Sequence, residues 1–165
     1  MKRHMLASAL AFLLLAGSPV RAADESPVPE TVTFVVSTGF WEEPAEDDAD
    51  ASAGPDSGQQ QAAMRRGYYK LVAVRQPDGT AQIHLQQIEA TDGGPKVASS
   101  TVLDEFSAMK PYVTDIRPEN SSGITTQPGL FATVYLKTDP NVAEPESWTV
   151  LIDDLGEIKV ERATN

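Results

Sequence analysis

Near its end the chain alternates strictly: Trp148, Val150 and Ile152 share one parity, Ile158 and Val160 follow, and Asp153-Asp154-Leu155-Gly156 lies between. Side chains switch faces at every residue of a strand, so this period of two describes a β-hairpin, with Gly156 free to take the positive φ of its turn. The second arm, EIKVER, carries charge on one whole face, as an edge or solvent-facing strand does. A sequence that repeats this pattern has few options besides an antiparallel sheet.

The pattern does repeat. TVTFVVSTGFW (31–41) alternates Val32, Phe34 and Val36 with Thr31, Thr33 and Ser37. GYYKLVAVR (67–75) is apolar on both faces, which suits a central strand. Gln76-Pro77-Asp78-Gly79 is a turn signal, because proline pre-sets one turn dihedral and glycine accepts the left-handed one. Ala81 to Ile88 continues with Ile83 and Leu85 against Gln82, His84 and Gln86, and a short strand is expected at Lys96 to Ser99. Further strands are expected at Tyr112 to Arg117 and at Leu130 to Lys137.

One helix interrupts this series. Thr101 and Asp104 have capping-box spacing, Leu103, Phe106 and Met109 recur at helical spacing, and Pro111 ends the run, so a helix is expected from Val102 to Lys110. About seven short strands and one short helix define a mainly β fold, a small antiparallel sheet closed as a barrel or folded as a sandwich. An α+β sheet with the helix on one face is the alternative. No internal repeat and no second domain is evident.

Residues 1–22 read as a secretory signal. Lys2 and Arg3 precede the apolar run MLASALAFLLLA, and Val20-Arg21-Ala22 offers small residues before a cut at Ala23. The run is short for a bilayer core of about 30 Å, so no stable membrane insertion is expected after cleavage. Residues 23–30 form a flexible tail, and 31–165 a single β-rich domain. The chain contains no cysteine, which excludes a disulfide framework and any thiolate metal site. The expected location is a bacterial periplasm, or outside the cell in another source.

Charge separates into parts. The chain has 13 basic and 24 acidic residues, and removing Lys2, Arg3 and Arg21 with the leader leaves ten bases against the same acids. Seven of the acids fall between Glu42 and Asp56. Nucleic-acid binding, which needs a basic footprint, is not expected.

Five of those acids belong to a segment, 44–66, with no aromatic and no β-branched residue, and a chain of that composition cannot bury enough apolar surface to order itself. A disordered acidic loop is expected. Asp48, Asp50 and Ser52 imitate the start of a calcium loop, but Ala53 stands where glycine is needed and Gln59 where a bidentate glutamate is needed. No metal and no cofactor is expected.

The flanks of the segment mirror each other: Phe40-Trp41-Glu42-Glu43 before it, Arg65-Arg66-Gly67-Tyr68-Tyr69 after it. Antiparallel pairing would set carboxylates against guanidiniums and aromatics against aromatics, each pair contributing about 0.2–1 kcal/mol. Phe40, Trp41, Arg65, Arg66, Tyr68 and Tyr69 therefore have two readings, packing at a strand end or contact with a partner, since Trp, Tyr and Arg are common interface anchors. The acidic loop beside them would favour a basic partner.

Catalytic signals are sparse. His84 is the one histidine beyond the leader and sits on a polar strand face, no G-x-S-x-G elbow nominates a serine, and Asp153-Asp154 suits a turn. The expected role is a non-enzymatic binding module of the cell envelope. A small-ligand carrier with a barrel cavity is the alternative, and a hydrolytic enzyme joining His84 to carboxylates ranks behind both.

Overall fold

The computed structural model describes residues 28–45, 64–119 and 126–164. The expected leader, most of the expected tail and the middle of the acidic segment lie outside these residues.

Eight strands and one helix follow in order: β1 (Val32–Pro44), β2 (Met64–Arg75), β3 (Ala81–Thr91), β4 (Gly94–Val102), α1 (Asp104–Met109), β5 (Tyr112–Pro118), β6 (Leu130–Lys137), β7 (Glu146–Ile152) and β8 (Ile158–Arg162). They make two separate antiparallel sheets, β1-β2-β3-β4 and β5-β6-β7-β8. Within each sheet every strand pairs with its sequence neighbours, so the fold is two meanders packed as a sandwich. Among the described residues neither sheet closes into a barrel: β4 and β8 each have one neighbour.

Alternation explains the packing. Leu71 and Ala73 of β2, Ile83 and Leu85 of β3, Leu130, Ala132, Val134 and Leu136 of β6, and Val150 and Ile152 of β7 are all buried, in one contiguous core. The turns behave as their residues dictate. Gly79 (φ 84) and Gly156 (φ 81) take the left-handed positions, and the carboxylate of Asp153 accepts from the backbone N–H of Leu155 (3.0 Å) and Glu157 (2.9 Å).

The helix departs from expectation. It starts at Asp104 behind Leu103, which makes no side-chain cap bond, while Thr101 stands in β4 opposite Leu85. Thr101 stands two residues before the N-cap position and stays in the β4 ladder, so its hydroxyl does not cap the helix. What anchors α1 is Phe106, fully buried and edge-on to Trp148, with ring centroids 6.4 Å apart. Burying such a ring stabilises the fold by about 1.5–3 kcal/mol, far more than six helical residues supply unaided. The helix thus joins the two sheets by inserting one side chain between them.

Candidate binding surface at the β1–β2 stem

The charged ends of the mirrored flanks do pair, whereas the aromatic ends do not face each other: Trp41 lies opposite Gly67 and Tyr69 opposite Thr38. Glu42 lies opposite Arg66, Glu43 opposite Arg65 and Pro44 opposite Met64, so the ladder runs past the last core residue and forms a stem. The phase of β1 changes on the way. Phe34 and Val36 pack against the core, so uninterrupted alternation would send Phe40 inward and Trp41 outward. An irregularity between Thr38 and Trp41, with Gly39 at φ 69, reverses this. Trp41 ends up inward, opposite Gly67.

The six candidate residues consequently separate. Trp41 and Tyr69 are 3% and 4% exposed and belong to the core, so a partner cannot reach them without unfolding the strand end. Phe40 is half-buried, and its backbone exchanges two hydrogen bonds with Gly129. Arg66 is exposed, and Tyr68 is half-buried beside Ile88. Met64 is 57% exposed and joins Glu42, Glu43 and Arg66 on the accessible part of the stem.

Arg65 ties the stem to its neighbour strand. Its Nε donates to Glu89 Oε1 at 3.0 Å and its Nη2 to Oε2 at 3.1 Å, a side-on pair of the stronger kind. The same guanidinium stands 5.7 Å from the centroid of the Trp41 ring. Hydrogen bonding to Arg65 holds the Glu89 carboxyl below its usual range. Trp41 Nε1 is buried without a hydrogen-bond partner among the described residues, so packing and the arginine hold this indole in place. The Tyr69 phenol is pushed above its ordinary value by burial, against the opposing pull of a hydrogen bond with Gln87.

Sequence reasoning missed Glu89. It ended β3 at Ile88 and looked for the arginine's partner on β1, whereas the ladder continues to Thr91 and supplies the acid from the other side. The signal was the short run Glu89-Ala90-Thr91 before the Gly-Gly break.

His84 sits partly exposed on the outer face of β3, opposite Val72 on β2 and Val102 on β4. Among the described residues no group of three or more His, Asp or Glu side chains converges on a metal-sized site. The calcium-like positions 48–59 lie outside the described residues.

The chain has no match among protein-family models, curated proteins or solved structures. What the fold defines is a class, a two-sheet β-sandwich of consecutive meanders whose first hairpin carries a paired stem.

Proposed function

We propose that the protein is an exported, non-catalytic binding module that meets a basic partner in the cell envelope through the accessible part of the β1–β2 stem. The carrying observation is the ladder beyond Trp41, which holds Glu42, Glu43, Met64 and Arg66 in fixed register outside the core. A paired stem fixes the backbone that carries these side chains, which lowers the entropy lost on contact. The excess of acids, five of them in residues 46–63 alone, favours a cationic surface and speeds its approach at low salt.

The test is cross-linking from positions 66 and 68 in envelope extract of the source cell, repeated with an Arg66→Glu, Tyr68→Ala variant of unchanged melting temperature. The variant should lose the cross-linked partner, and capture should weaken as salt rises. Equal capture by both proteins would sink the proposal. N-terminal sequencing of protein from the source should begin at Ala23, and an intact Met1 would remove the exported reading.

A further inference from the structure

At the far end of β2 from the stem, three basic residues converge on one tyrosine. Tyr112 opens β5 directly opposite Lys137 of β6, and the Arg75 guanidinium stands 4.5 Å from its ring centroid. Lys110 reaches the same place from the end of α1. Together with Thr80, Thr138 and Asp78, Tyr112 and the two lysines line an open cavity of about 470 Å³.

Lys110 is held there at a conformational cost. With φ 49 it is the one non-glycine residue among those described with a left-handed backbone. That helix-ending position favours glycine or asparagine, since a β-carbon crowds the next carbonyl. Lys110 also precedes a proline, which disfavours helical backbone geometry at the residue before it. Neighbouring contacts enforce the position: Lys110 N–H donates to Ser107 O at 3.2 Å, Pro111 is fully buried, and its carbonyl accepts from Ala81 N–H at 2.8 Å. Strain of this kind concentrates where a side chain is needed for something else.

The charges around the cavity favour an anion. Among the described residues neither lysine nor Arg75 lies in an ion pair, although the chain carries a net charge of −11. The one lining acid, Asp78, has its Oδ1 turned to Thr80, accepting from Oγ1 at 2.6 Å and from N–H at 3.0 Å, and the two lysines outnumber its single charge. Tyr112 is 46% exposed and offers an apolar surface in the lining that the two lysines share.

We infer that this cavity binds a small organic anion, its charged head between Lys110 and Lys137 and its apolar body against Tyr112. Carboxylates and phosphate monoesters share that chemistry. The experiment titrates the intact protein with benzoate, phenyl phosphate, inorganic phosphate and neutral benzamide, followed by NMR shifts and calorimetry. Benzoate or phenyl phosphate should shift the signals of Lys110, Tyr112 and Lys137, and whichever binds tighter names the head group. Inorganic phosphate should bind more weakly, and benzamide should not bind.

Lys110→Gly relieves the left-handed strain, so its melting temperature should hold or rise while affinity falls about tenfold or more, the loss of one charge-assisted hydrogen bond. Lys137→Gln should cost affinity similarly from a strand position. The inference is overturned if neither organic anion binds up to its solubility limit, if benzamide binds equally well, or if both variants keep wild-type affinity.

Discussion

Phe40 and Gly129 exchange two backbone hydrogen bonds, 3.1 and 2.8 Å long, and form the one isolated bridge recorded among the described residues. The bridge stitches β1, in the first sheet, to the residue just before β6 in the second. It requires close backbone approach on both sides. A β-carbon on Gly39 would collide with the Gly129 carbonyl oxygen, and one on Gly129 with the Ile152 carbonyl oxygen. Both glycines also have positive φ, 69 and 127.

Alanine at either position should therefore destabilise far more than a surface substitution, by about 2–4 kcal/mol from steric displacement combined with left-handed strain. Gly79, also at positive φ but with open space around it, is the control. Its alanine variant meets only the conformational term, about 1–2 kcal/mol. Urea denaturation of the three variants checks the order.

The Arg65–Glu89 pair gives a signed pH dependence. The Glu89 carboxyl is held below its ordinary value of 4.5 by its hydrogen bonds to Arg65. A group depressed in the folded state contributes stability above the unfolded value and loses it as pH falls through the folded value. Melting temperature should thus drop below about pH 4.5, and Glu89→Gln should flatten that limb while lowering stability at pH 7. An unchanged acid limb in the glutamine variant would remove Glu89 from this role.

Nineteen residues, 45–63, join the paired ends Pro44 and Met64. Replacing 46–63 with Gly-Asn-Gly leaves a four-residue connection, and the logarithmic closure law favours the shorter loop by about 1.4 kcal/mol. The melting temperature should hold or rise, and calcium should not shift it in either protein. A large loss of stability would mean that the segment contributes to the fold.

Much of this architecture was legible in the residues. Period-two alternation located the strands, and Gln76-Pro77-Asp78-Gly79 and Asp153-Asp154-Leu155-Gly156 located two of the turns. The charged face of EIKVER suited an edge or solvent-facing strand, and β8 lies at the edge of its sheet. The errors have physical causes. Closure depends on how far each sheet coils, which alternation does not encode, so barrel and sandwich looked equivalent. Thr101 resembled a cap because its spacing was right, yet the β4 ladder claimed it first.

The candidate site was half legible. Complementary flanks gave the stem, but the bulge at Gly39 exchanged the fates of Phe40 and Trp41, and one residue of phase decides which ring is buried. The lysine cavity was invisible. Lys110, Tyr112 and Lys137 meet only once β5 and β6 are in register, and no spacing along the chain announces that.

Because within each sheet every strand pairs with the one before it, time and sequence run together in this molecule. As the chain emerges from a narrow exit, the first sheet needs nothing beyond Val102 and the second nothing before Tyr112. Contacts between near neighbours close quickly. Each meander can zip as it appears, leaving closure of the shared core, with Phe106 against Trp148 and Phe40 bridged to Gly129, as the late event that turns two ribbons into one body.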